Sequence, residues 1–296
     1  KKIRGAIKMK HAYLILAHNN FYTLKVLLKL LDNENNDIYI HIDKKTRNVP
    51  KEEILSVVQK SNLHWVTPIK TYWGHSSLVN AELKLIKTAI LNVEYEYLHL
   101  ISGVDLPLKK QSEIHKFFED NKGKEFVGFS NLKNNYEDRV KYYYWLQKYE
   151  KNSKIIAKLQ EILTKFQKIL KVNRLKNSNI NIQKGCQWVS ITGDFAKYII
   201  KQEKWIQKFF ANTNCSDELL MQTILINSPF AKNIYNKNDE YKSCLREIDW
   251  ERGSPYVWKK EDKDILLSSN NIFARKFDEN VDKEIMKIIM NNFIER

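Results

Sequence analysis

Cysteine is nearly absent. There are three in 296 residues, at 186, 215 and 244, and no Cys-x-x-Cys pair. That usage argues against a zinc ribbon or a disulfide scaffold. Eight glycines and five prolines are too few for a collagen-like or linker-like chain. No apolar run approaches the roughly 18 residues of a membrane span. The start, KKIRGAIKMK, carries charge with no apolar stretch behind it, so no signal peptide is expected. These absences read as a cytoplasmic protein. Residues 1–8 precede the first methionine, Met9, and read as an upstream extension.

Acidic residues are in deficit: 35 Asp and Glu stand against 50 Lys and Arg, a net charge of +15. Such a field draws polyanions, whether nucleic acid, an anionic membrane or a phosphorylated small molecule. The richness in Lys, Asn and Ile discounts the charge in part as base composition. Hydrophobic residues make up 43% and charged residues 29%, enough for a packed core and against wholesale disorder. The length fits one large α/β unit or two closely joined domains.

The common catalytic signatures are missing too. There is no G-x-G-x-x-G, no Walker A sequence, no H-E-x-x-H and no G-x-S-x-G, which argues against dinucleotide oxidoreductases, P-loop enzymes, zincins and α/β-hydrolases. No Asp-x-Asp occurs in the first half; Gly103-Val104-Asp105 is the nearest approach.

What is present alternates. Short apolar or β-branched runs at His11–Leu16, Ile38–Ile42, Leu63–Val66 and Tyr95–Ile101 predict strands. Helical spacing recurs over Phe21–Leu31, Ser76–Leu91 and Ser112–Asp120, with Glu125–Phe129 as a further strand. This rhythm predicts an α/β fold, a mostly parallel Rossmann-type sheet flanked by helices, with ligands at the carboxyl ends of its strands. Polar and aromatic groups gather at those ends: His18, Asp43, Tyr72-Trp73-Gly74 and Ser102 to Asp105.

Three regions are expected: 9–130 for nucleotide binding, 131–180 as an aromatic and basic helical insertion, and 181–296 closing the same domain with α+β elements. In the insertion, Lys151–Lys176 repeats apolar residues at helical spacing among many lysines. It reads either as an amphipathic helix on the core with a solvated lysine face, or as a surface helix that meets an anionic membrane or a partner. The last region predicts a strand in Gly185–Ile191, helices over Asp194–Phe210 and Ser216–Ile226, and a helical tail.

Several blocks, in order, resemble one family. They are His41-Ile-Asp43-Lys-Lys45, Trp73-Gly-His-Ser-Ser-Leu-Val79, and Ile101-Ser-Gly-Val-Asp105-Leu-Pro107-Leu-Lys109. Gly185-Cys-Gln187-Trp188, Ser216-Asp217-Glu218, Leu245-Arg246-Glu-Ile-Asp249-Trp250 and Phe273-Ala-Arg275-Lys276-Phe277-Asp278 continue the order. The set is similar to the core-2/I-branching β-1,6-N-acetylglucosaminyltransferase and peptide O-xylosyltransferase family over roughly residues 11–285. The resemblance implies a GT-A-like fold. It also implies inverting transfer from a UDP-sugar to an acceptor hydroxyl, with no obligatory metal and no other cofactor.

Residue by residue, the resemblance implies Glu218 as the catalytic base. An inverting displacement needs one carboxylate to take the acceptor proton. From spacing alone, Ser216 reads as a helix cap, and acids simply favour a first helical turn. Arg275 and Lys276 are implied to hold the departing diphosphate, since fixed cations can replace a metal. Asp43, Trp73, Gly74 and Asp105 are implied to border the donor. Asp217, Trp250, Gln187, Trp188 and Arg139 are implied on the acceptor side. The donor sugar reads as N-acetylglucosamine, with xylose or glucuronic acid as alternatives. The acceptor reads as a glycan or lipid-linked glycan at the inner membrane face. Two other classes stay in view: a basic nucleic-acid-binding protein, which no motif supports, and an inactive transferase-fold scaffold on a membrane surface.

Overall fold

The computed structural model describes residues 10–91, 93–131 and 136–295. Residues 1–8 lie outside them, as do four residues of the expected insertion. Among these described residues, eight strands run in chain order. They are β1 (His11–Ala17), β2 (Asn36–Ile42), β3 (Asn62–Val66), β4 (Tyr97–Ser102), β5 (Asp105–Pro107), β6 (Val189–Thr192), β7 (Arg246–Ile248) and β8 (Phe273–Arg275). The main sheet has the order β3-β2-β1-β4-β6. Its first four strands are parallel, and β6 joins antiparallel to β4. A small second sheet, β5-β8-β7, joins the first half to the C-terminal region.

The alternation in β1 shows why the sheet is covered on both faces. Tyr13 and Ile15 enter one core with the Phe21–Leu31 helix, Phe273, Phe277 and the Glu284–Phe293 helix. Ala12 and Leu14 enter the other with the Ser77–Ile90, Gly193–Lys201 and Leu220–Ile226 helices. Successive strand residues point to opposite faces, so both faces bury apolar surface.

Strand order reverses between β1 and β4, the place where α/β sheets open a crevice. Gly103 lies just beyond β4, and its N–H donates to Leu16 O at 2.9 Å. A Cβ there would stand 2.8 Å from the Ala17 Cβ, so the two strand ends can close together only around a glycine.

Several expectations change. Glu125–Phe129 forms only isolated bridges, Glu125 to Ile234 and Phe126 to Ser190; the Glu125 carboxylate instead binds the backbone N–H and hydroxyl of Thr192. The single helix expected over Asp194–Phe210 is two, Gly193–Lys201 and Glu203–Phe209. Ser216 is not a cap. Cys215 holds that place in the left-handed region, and Ser216–Glu218 is a 3-10 turn ahead of the Leu220–Ile226 helix.

The basic segment forms a helix over Lys154–Ile169, capped by the Ser153 hydroxyl. Its orientation overturns packing of its main apolar stripe on the core. The buried side chains are Gln160 and Gln167, which bind the backbone of Tyr143 and Leu146. Ile155, Leu159, Ile162, Phe166 and Ile169 face solvent.

Candidate active site

Two groups of side chains meet at the carboxyl edge of the sheet. The first is built on the β5–β8 pairing, which places Asp105 opposite Arg275. Asp105 is fully buried. Its Oδ1 accepts from Arg275 Nη1 at 2.8 Å, and its Oδ2 accepts from the Ser102 N–H at 2.8 Å. The carboxylate is therefore occupied in orienting Arg275. The guanidinium also lies 4.6 Å from the ring centre of Trp188, close enough for a cation–π contact.

Further cations converge nearby. His18, just beyond β1, lies near Lys151, Lys45 and Arg275 as well as Asp43. Burial pushes its imidazole below the ordinary pKa; Asp43 opposes this, and the three cations reinforce it. Tyr72 lies between Lys45 and Lys148, 4.4 and 4.8 Å from its ring centre. Asp43 accepts from Lys45 N at 2.7 Å and from Thr71, which shapes the loop after β2. Trp73 is 60% exposed, with Lys151 over its ring. Lysines and aromatic rings thus gather at the strand ends, an arrangement whose field favours an anion.

The second group surrounds Glu218. Its Oε2 lies 2.7 Å from Arg139 Nη1 and 3.5 Å from Lys184 Nζ. The carboxylate is partly exposed, as a base that must meet a substrate requires. Asp217 beside it is buried with Oδ1 lacking a hydrogen-bond partner. Burial first, and then the Glu218 charge, push Asp217 up to about 7. Glu82, from the Ser77–Ile90 helix, is buried and accepts from Gln187 Nε2 at 2.7 Å. Burial, reinforced by Asp217, raises its pKa well above the carboxylate range. Gln187 thus turns its amide inward.

Backbone contacts tie the groups together. Gly185 N donates to Glu218 O at 3.0 Å, and three residues on, Trp188 stacks with Arg275. Cys215 N donates to Gly74 O at 2.7 Å, so the Trp73–Gly74 loop touches the turn that carries Glu218. Gly74 has φ +68°, and a Cβ there would stand 2.5 Å from the Gln147 side-chain amide. A side chain there would be strained by the left-handed backbone and would have to displace the Gln147 amide.

Of the expected residues, the structure groups Arg275, Asp105 and Trp188, with Asp43 close to the same cations. It separately groups Glu218, Asp217, Gln187 and Arg139. The Lys276 carbonyl accepts from Trp258 N, next to Arg275. Trp250 stands exposed on its own loop beside Asp249, whose carboxylate Arg252 holds. Sequence reasoning missed Lys148, Lys184 and Glu82. Glu82 had a signal: it falls three residues after Val79 and four before Ile86, on the apolar stripe of its helix. Lys148 had none.

Among the described residues no group of three His, Cys, Asp or Glu side chains is arranged to hold a metal ion. No helix among them is long and apolar enough to cross a membrane. Two concavities among the described residues, one near Ser112–Asp120 and one near Val140 and Trp205, include neither Glu218 nor Arg275.

Comparison with known proteins gives relatives at low identity. Xylosyltransferase 2 of Rattus norvegicus is 24% identical over 299 residues, covering 94% of this chain and 33% of its own length. Xylosyltransferase sqv-6 of Caenorhabditis briggsae is 25% identical over 291 residues, covering 89% of this chain and 34% of its own. The chain thus spans about a third of the length of these relatives. Among solved structures, the apo form of mouse xyloside xylosyltransferase 1 aligns at TM-score 0.38 and 10% identity, covering 90% of this chain and 96% of that one. The apo-form glycosyltransferase GlyE of Streptococcus pneumoniae TIGR4 aligns at 0.43 and 11%, covering 96% and 63%. Scores this low leave the sequence match to decide. Residues 11–269 match the model of the Core-2/I-Branching enzyme family, a span that includes both Asp105 and Glu218, and the chain belongs to that family.

Proposed function

We propose that this chain is an inverting glycosyltransferase that moves a sugar from a UDP-sugar to a hydroxyl of a glycan or lipid-linked glycan. The observation that carries this reading is the short bridge between the two groups. Gly185 touches the Glu218 turn and Trp188 touches Arg275, which supports a base and a diphosphate-holding cation acting on one bound donor. The acceptor oxygen attacks the anomeric carbon as the bond to UDP breaks. Its proton passes to Glu218, UDP leaves, and a β-linkage results.

Arg275, with Lys45, Lys148 and Lys151 around the crevice, supplies the charge that a leaving diphosphate needs, and His18 stands among them as a neutral imidazole. Asp105 occupies the place of a metal-binding motif but is spent on Arg275, which supports a metal-independent reaction. Lys276 adds a second cation next to Arg275. Trp73 and Gly74 border the donor. Arg139 and Lys184 hold Glu218 until an acceptor arrives, and Trp250 offers an exposed ring to an acceptor sugar. The xylosyltransferases among the relatives set xylose beside N-acetylglucosamine and glucuronic acid as the donor sugar. The acceptor is presented at the cytoplasmic face of a membrane, with residues 151–176 toward an anionic surface.

Calorimetry with UDP and a panel of UDP-sugars, in chelator and then in manganese, tests this. Binding of one UDP-sugar in chelator supports the fixed-cation site and identifies the donor. Binding only with manganese overturns the metal-independent mechanism. Binding of none overturns the transferase reading.

A further inference from the structure

The Lys154–Ile169 helix is packed inside out. Ile155, Leu159, Ile162, Phe166 and Ile169 recur at four and three residues, the spacing of one helix face, yet that face is exposed. Ile155 is 81%, Phe166 56% and Ile169 75% exposed. Toward the protein the helix presents Gln160 and Gln167, held by Tyr143 and Leu146. Burying amides while leaving five large apolar side chains in water costs stability unless something covers them.

The surroundings identify the cover. Helical spacing sets Lys154, Lys158 and Lys165 along one edge of the apolar stripe. Exposed Trp145 and Tyr149 lie in the segment against which the helix packs, and such rings favour a membrane interface. A second copy would bring another chain of charge +15 against the same lysines. An anionic lipid surface attracts the lysines and accepts the apolar stripe together.

We propose that the exposed face of this helix lies in the headgroup region of an anionic bilayer. Ile155, Leu159, Ile162, Phe166 and Ile169 enter the apolar boundary, and the lysine edge meets lipid phosphates. The consequence reaches the active site. Lys151, three residues before the helix, lies over Trp73 and near His18. Docking therefore holds the mouth of the donor crevice at the bilayer. This deepens the membrane-presented acceptor of the reading above and rests on it.

Co-sedimentation with phosphatidylglycerol–phosphatidylcholine vesicles, compared with phosphatidylcholine alone, tests the proposal, alongside UDP calorimetry on the same samples. Wild type should bind the anionic vesicles, less so as salt rises. Ile162→Ser with Phe166→Ser should weaken that binding about tenfold or more, with helical circular dichroism and UDP affinity unchanged. Lys158→Glu with Lys165→Glu should weaken binding to anionic vesicles while leaving the fold intact. Wild type that does not bind them overturns the proposal. So does a dimer, seen by light scattering, that the serine variant dissolves while vesicle binding is absent. Vesicle binding by a chain that binds no UDP-sugar supports the docking face and removes the transferase reading instead.

Discussion

Arg275 and Asp105, 170 residues apart in the chain, face each other across the β5–β8 register and pair at 2.8 Å. The carboxylate is fully buried and the guanidinium retains an exposed edge. A buried carboxylate anchored by the Ser102 N–H aims its charged partner, and here that partner is Arg275, with the Trp188 ring at its side.

Arg275→Lys should weaken UDP binding about tenfold, because lysine keeps the charge but loses the planar pairing and the ring stack. Asp105→Asn should weaken it as well, although Asp105 need not touch the donor. Arg275→Ala should cost about 3–5 kcal/mol of stability by leaving a buried carboxylate unpaired. Calorimetry and denaturant melts read these effects. Wild-type UDP affinity in Asp105→Asn would show that the pair is structural only.

Glu218→Gln should lower kcat by about 10²–10⁴ with UDP affinity unchanged, the signature of a lost general base. Arg139→Ala should reduce kcat more than donor binding, since its guanidinium holds Glu218 rather than the diphosphate group. A Glu218→Gln enzyme within a few-fold of wild type would move the base elsewhere.

Asp217 titrates near 3.8 in an unfolded chain and near 7 when folded. The folded state holds the extra proton between those values, so the contribution of Asp217 to stability is lost as pH rises toward and past 7. Asp217→Asn has no proton to lose. Its stability relative to wild type should climb between about pH 5 and about pH 8, by roughly 2–4 kcal/mol. Paired thermal melts across that range measure it, and a flat difference would refute it.

Gly185→Ala should destabilise the chain by about 2 kcal/mol or more. The new Cβ would fall 1.9 Å from the Gly128 carbonyl oxygen. The shift should reach Glu218 through the Gly185 N–H, so residual kcat should fall in the fraction that folds. Wild-type stability would mean that the 128 segment moves freely.

Local pattern determined much of this chain by itself. The Phe21–Leu31 helix follows from its apolar spacing, and the parallel strands follow from short β-branched runs separated by helices. The ordered blocks around Asp43, Asp105, Glu218 and Arg275 pointed to the family. Glu218 and Arg275 could be named because their types and neighbours matched, with no distance needed.

Tertiary structure decided what those groups do to one another. The antiparallel pairing of β5 with β8 spends Asp105 on Arg275, and no spacing across 170 residues encodes that register. Lys148 and Lys151 reach the crevice from the expected insertion, where no motif marks either lysine. The buried Cys244 thiol donates to the Tyr241 carbonyl. Periodicity showed that the Lys154–Ile169 helix is amphipathic but not which face turns inward. Two glutamines bonded to the Tyr143–Leu146 backbone decided that, because buried backbone groups need partners and an apolar face offers none.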